Sequence, residues 1–297
     1  MTANQLVILK IVGVLVGAGL LMVVAPGVYG IFEKLRRRAS GIHGAGWLDM
    51  YQDLKSLASR PASIVAPTDS ALIVIPWCII VLSVIALVQS MAFVISPYRF
   101  GAVEIAFMFI LIKIMLTLYG MRTANTIQLL GFRHFVGRFI TGSLLLVLYF
   151  NAVGLSSVPR DFSILSGVWY AFALVIGIFL VCQEAGHSLL PAQVNGDWNN
   201  ALAGSVVGKP HLYLLLADMT RVTLIIFMVS ITVFPAPHGT AWWINLPFIV
   251  FKMLIVTKLG GIASAAYGHY FRKLFTPGVY FVAGMITLGL SLTACFV

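Results

Sequence analysis

The apolar positions of this chain fall into eight runs, each close to the ~20 residues a helix needs to cross a bilayer core. They cover about residues 5–32, 71–96, 102–120, 139–156, 167–181, 212–234, 243–263 and 278–297. This pattern predicts an all-α polytopic membrane protein of about eight transmembrane helices, forming a single integral membrane domain over 1–297. The short alternating segments that build a membrane barrel are absent from the pattern. The first run is too long for the apolar region of a signal peptide and has no Ala-x-Ala site, so it is expected to be retained. Between the first two runs, Met50, Leu54 and Leu57 recur at steps of four and three. That period predicts a short amphipathic helix, with Asp49, Gln52 and Asp53 on its other faces. No internal repeat and no Gly/Ser-rich or Pro-rich linker divides the chain.

Composition narrows the function classes. The 297 residues are 60% hydrophobic and 9% charged, with a mean hydropathy of +1.01. Soluble domains carry roughly 25% charged residues, so this chain could not cover its surface with polar groups in water. A soluble enzyme, a disordered chain and a nucleic-acid-binding module are excluded. The net charge of +10 then reports membrane topology. Twelve Lys and Arg residues fall in the odd-numbered loops, and only Arg99 and Arg160 fall in the even ones. The first loop alone holds Lys34, Arg36, Arg37, Arg38, Lys55 and Arg60. The positive-inside rule therefore places the long odd-numbered loops in the cytoplasm and both termini outside, in a multi-pass protein of the cell inner membrane. One elaborated face of this kind is expected to dock something. The basic cluster and amphipathic helix of loop one also fit an interfacial helix against anionic lipid. Cys78, Cys182 and Cys295 all lie in apolar runs and form no CxxC, which reads as small buried side chains.

Ionisable groups inside spans are costly and mark candidate sites. Here they are Lys10, Glu104, Lys113, Arg221, Lys252 and Lys258. Lys10, Glu104 and Arg221 stand near enough to a run's end to snorkel, whereas Lys113 and Lys252 lie deeper. Asp218 and Arg221, three apart on one helix, are placed to pair. Glu184 closes the fifth run, where an acid is expected to reach water cheaply.

The order of these features resembles the heel subunit of the complex I superfamily. That family comprises the membrane heel of NADH–quinone oxidoreductase and its counterparts in formate hydrogenlyase and other membrane-bound nickel–iron hydrogenases. The resemblance rests on several motifs in sequence. An Arg-rich first loop is followed by Tyr51-Gln52-Asp53-Leu54-Lys55. A Pro-containing turn around Pro67–Pro76 leads into the second run. Leu130-Gly131-Phe132-Arg133 lies in loop three, and Glu184 opens loop five. Arg272-Lys273 with Thr276-Pro277 closes loop seven. The hydrogenase branch is the nearer of the two.

The resemblance implies eight spans and a non-catalytic membrane anchor of an oxidoreductase complex. Such a chain has no catalytic residue, no metal site and no cofactor of its own. Its partners would be an iron–sulfur small subunit and a hydrogenase-like large subunit on the cytoplasmic side, which carry the clusters, and antiporter-like membrane subunits alongside. Asp49, Asp53, Lys55, Arg36, Arg37, Arg38, Arg133, Glu184 and His187 are the candidate docking and coupling residues. Lys113, Asp218, Arg221, Lys252 and Lys258 are the candidate intramembrane charges. The family's coupling of redox chemistry to proton or ion translocation relies on carboxylates that are mostly missing here. Residues 189–196 contain no acid, and none lies between Lys113 and Asp161.

Two other classes fit less of the chain. A stand-alone secondary transporter is expected to show matching halves with broken helices, and no halves match. A UbiA-type membrane prenyltransferase needs two Asp-rich motifs to hold magnesium on a diphosphate, and Asp49 with Asp53 provides at most one.

Overall fold

The computed structural model describes residues 3–39, 41, 46–59, 63–64, 71–95, 101–123, 143–151, 164–185, 206–207, 209–233, 242–266, 282 and 284–289. Seven helices carry the fold: α1 (Ala3–Ala39), α2 (Asp49–Ser59), α3 (Ala71–Ile95), α4 (Gly101–Thr123), α5 (Ile164–Ala185), α6 (Lys209–Val233) and α7 (Trp242–Ala266). Residues 143–151 are also helical. The only strands among the described residues are two two-residue pieces, β1 (Ser63–Ile64) and β2 (Val206–Val207), paired antiparallel. Four of the described helices are long and apolar enough to cross a membrane, over Val7–Ala39, Val74–Ile95, Leu212–Ile231 and Pro247–Ala265. The chain is a helical, multi-pass membrane protein.

The helices follow the apolar runs closely, and α2 falls where the period of Met50, Leu54 and Leu57 places it. Met50 is buried, and Leu54 and Leu57 pack on the core. Half of the expected run 139–156 and most of 278–297 lie outside the described residues, and the described parts of both are helical. The main departure is α1, which continues past Phe32 through the basic stretch to Ala39. Glu33 explains the extension. It accepts from Arg36 and from Arg37, at 2.9 Å each, three and four residues along the same helix face. Gly41, with φ 75°, then turns the chain in the left-handed region that stops a helix.

The centre of the bundle is α6. In its membrane-length window 89% of the residues are buried, against 6% in α1. Helices α1, α3, α5 and α7 surround it, α4 packs on α3, and α2 sits against α1 and α6. A helix enclosed on all sides must be apolar on all sides, as the run Leu224 to Val229 of α6 is. Five buried hydroxyls in the bundle are satisfied within their own helices. Ser83, Ser90, Thr220, Ser230 and Thr257 each donate to the carbonyl four residues back. This back-bonding removes the cost of an unpaired polar group in an apolar setting.

Two close approaches fix the helix register. Gly260 and Gly261 of α7 let it press onto α1: a Cβ on Gly261 would stand 3.0 Å from the Phe32 carbonyl oxygen and from Leu35 Cβ. Gly30 of α1 faces the Trp47 carbonyl oxygen, with no room for a Cβ between them. Further back along α1, Tyr51 of α2 donates its hydroxyl to the Val23 carbonyl at 2.9 Å. Pro26, inside the same helix, lacks the N–H that would bond the Met22 carbonyl, so the helix ladder is already interrupted next to this contact.

These contacts gather the C-terminal end of α1, the C-terminal ends of α5 and α7, and the N-terminal ends of α3 and α6 at one end of the bundle. Trp77 of α3 and Tyr213 of α6 meet there with ring centroids 4.7 Å apart. The β1–β2 pairing ties the segment before α3 to the segment before α6.

Candidate functional site

Four charged side chains from three helices meet in the interior. Lys113 comes from the middle of α4, Glu184 from the penultimate position of α5, and Asp218 and Arg221 from α6. Their relative exposures are 5%, 0%, 1% and 2%. Arg221 lies at the heart of the group. Its Nη1 donates to Glu184 Oε2 at 2.5 Å, and its Nη2 donates to the Glu184 backbone carbonyl at 3.0 Å. Its Nη2 and Nε also reach Asp218 Oδ1, at 2.8 and 3.3 Å. Lys113 Nζ pairs with the other Glu184 oxygen, Oε1.

Local structure accounts for each part. Asp218 and Arg221 share a helix face at i and i+3, so α6 delivers them already paired. Glu184 closes α5, where the last carbonyls have no intrahelical donor. The guanidinium fills that gap for the Glu184 carbonyl while neutralising its carboxylate. Arginine suits the role because its planar fork presents several donors at once. With all four groups ionised the cluster is neutral. Isolated, any of these charges would be expensive in a bilayer; paired and hydrogen-bonded they are tolerated. Chemically, two acids and two bases form a built-in clamp between α4, α5 and α6.

Two of the expectations need correction here. Glu184 does not reach water at the end of its span, because α4 and α6 enclose it. As a wholly buried side chain it offers no surface of its own to a docking partner. Arg221 does not snorkel, because Glu184 and Asp218 hold it inside. The pairing expected between Asp218 and Arg221 is present, and Lys113 is as deep as expected.

The other candidates are scattered. Asp53 and Lys55 occupy the exposed side of α2. Asp49 holds the turn before α2: its Oδ2 accepts from Gly46 N at 2.8 Å, as the acidic residue of a capping box does. Arg36 and Arg37 are tied to the buried Glu33, and Arg38 is exposed at the end of α1. Lys252 is half-buried on α7 and Lys258 is exposed on it. Arg133 and His187 lie outside the described residues.

Three participants were not picked out by sequence pattern. Glu33 could have been found from its spacing to Arg36 and Arg37. Tyr29 of α1, also buried, lies within electrostatic reach of Arg221. Gln183, next to Glu184, is buried with neither its amide nitrogen nor its oxygen hydrogen-bonded among the described residues. Neither of these two carries a local signal. No model of a known protein family matches the chain, and no curated protein sequence matches it.

Proposed function

We propose that this chain is the membrane-anchor subunit of a complex I-like or membrane-bound hydrogenase-like oxidoreductase complex. It holds an iron–sulfur subunit and a large subunit at the cytoplasmic face, and lies beside antiporter-like subunits in the inner membrane. In this reading it crosses the membrane eight times with both termini outside. It carries no cofactor and acts as a scaffold.

The observation that supports the reading most is the one-ended gathering of polar segments. The basic end of α1, the amphipathic α2, the β1–β2 pairing and the ends of α5, α6 and α7 all lie at one end of the bundle. An anchor needs such a face, held rigidly enough to fix a soluble arm against the membrane. The buried clamp of Lys113, Glu184, Asp218 and Arg221 supplies rigidity directly beneath it.

The test is purification of the tagged full chain from its native membranes in mild detergent, with identification of what accompanies it. An iron–sulfur protein and a large subunit at equal stoichiometry are expected. A chain that purifies alone, fully folded, overturns the proposal. That same outcome would favour the second reading, a stand-alone secondary transporter, whose support is the same set of buried charges. Cysteine labelling from each side of the membrane tests the eight spans: positions in α2 should label only from the cytoplasm.

A further inference from the structure

The basic end of α1 is not uniform. Arg36 and Arg37 are both spent on Glu33, which is buried. Lys34 and Arg38 form no side-chain ion pair or hydrogen bond among the described residues, and both keep part of their surface. They are four apart, so they share one face of the helix and repel each other unless an anion lies between them.

The same face continues down α1 as an apolar stripe. Val16, Leu20 and Val23, at steps of four and three, are 55%, 59% and 66% exposed. Between the stripe and the two cations sits the α1–α2 turn. Trp47 and Leu48 there, and Tyr51 in the first turn of α2, are all exposed, although the Trp47 backbone and the Tyr51 hydroxyl are seated on α1.

The spacing matches one leaflet. Lys34 stands 11 positions beyond Val23. At about 1.5 Å per residue that is roughly 16 Å, close to half of a ~30 Å hydrocarbon core. A tryptophan at the level where chains give way to headgroups, with two cations just above it, is the arrangement that membrane interfaces favour.

We infer that the C-terminal end of α1 and the α1–α2 turn hold one anionic phospholipid. Its phosphate lies between Lys34 and Arg38, its first methylenes over Trp47 and Leu48, and its chain along Val23 and Leu20. An acidic soluble protein fits the two cations but not the exposed apolar residues that continue from them into the membrane, so the lipid is the better occupant. This inference goes beyond the anchor reading and does not depend on it.

The test is native mass spectrometry of the full chain, purified in mild detergent and mixed with equal phosphatidylglycerol and phosphatidylcholine. The wild-type chain should retain phosphatidylglycerol in excess over phosphatidylcholine. The double variant Lys34→Gln/Arg38→Gln should lose that excess, while Lys55→Gln, on the outer side of α2, should keep it. Thermal stability in neutral detergent checks that the double variant folds. A second arm separates headgroup from free ion: phosphatidylglycerol should raise the wild-type melting temperature, and inorganic phosphate should not. Equal retention of the two lipids by the wild type overturns the inference, as does an unchanged excess in the double variant. So does loss of an acidic soluble partner from that variant with its lipid complement intact.

Discussion

Arg221 binds Glu184 twice, through its carboxylate at 2.5 Å and its backbone carbonyl at 3.0 Å, so a single side chain of α6 both neutralises and terminates α5. The two residues are 37 positions apart. Replacing either alone leaves one net charge uncompensated in an apolar interior, because Lys113 still faces Glu184 and Asp218 still faces Arg221. Arg221→Met should therefore destabilise the chain by about 3–5 kcal/mol, the usual cost of breaking a buried ion pair from one side. Arg221→Lys keeps the charge but gives up the fork, and should recover only part of the loss. Heating each variant in detergent and following the monodisperse fraction measures both. A Met variant as stable as wild type would remove the clamp from the account of the fold.

Lys113 and Glu184 should behave as a coupled pair. Lys113→Met leaves two acids facing one arginine, and Glu184→Gln leaves two cations facing one acid. The double variant Lys113→Met/Glu184→Gln returns the cluster to neutrality through Asp218 and Arg221. Its destabilisation should fall short of the sum of the single effects by about 0.5–3 kcal/mol, the range for residues in one network. Strict additivity would show that Lys113 and Glu184 do not act on each other.

The seam between α7 and α1 makes a steric prediction. Gly261→Val places branched carbons against the Phe32 carbonyl and Leu35, both 3.0 Å from the position of a Cβ. The obstruction includes backbone, which cannot turn aside as a long side chain can. A loss of about 1–3 kcal/mol is expected, as for other overpacked contacts. Gly284, whose Cβ would meet nothing within 4 Å, is the control: Gly284→Ala should be tolerated. Equal melting temperatures for the two variants would mean that the helices separate at no cost.

The docking of α2 depends in part on one hydroxyl. Tyr51→Phe keeps the ring beside Gly27 but removes the donor to Val23 O. A loss of about 0.5–1.5 kcal/mol is expected, typical of one hydrogen bond. Proteolysis should detect it sooner than global unfolding, as faster cleavage in the turn before α2. Cleavage at the wild-type rate would place the hold on α2 in Met50 and its packing instead.

What could be read from the chain alone divides along a physical line. Apolar runs set the helices because hydrocarbon leaves the backbone no other way to satisfy its hydrogen bonds. Accordingly α3, expected over 71–96, spans Ala71–Ile95, and α7, expected over 243–263, spans Trp242–Ala266. Pairs on a single helix were equally legible, as Asp218 with Arg221 shows. The end of α1 was missed because a charged stretch looks like a loop until Glu33 is matched with Arg36 and Arg37. Most of the site was hidden for a different reason. Lys113, Glu184 and Arg221 belong to three helices, and no local spacing encodes which helices touch. Glu184 and Arg221 each looked able to reach water, and only the packing of α4 and α5 around α6 shuts them in.

Gln183 provides the sharpest probe of what surrounds the clamp. Its side chain is buried beside Glu184, and neither end of its amide is hydrogen-bonded among the described residues. An unpaired buried polar group costs about 1–3 kcal/mol, so an apolar replacement of similar size removes a penalty. Gln183→Leu should leave stability unchanged or raise it by up to about that amount. Gln183→Glu has nearly the same shape but adds a second carboxylate next to Glu184, and should be clearly destabilising. The contrast between the two variants separates shape from polarity. If the leucine variant falls as far as the glutamate variant, the amide is engaged by water or by a polar group of another subunit. The protein would then have a wetter interior at this level than its own side chains indicate. Repeating the comparison with the chain alone and with any subunit that co-purifies with it would identify which of the two supplies the contact.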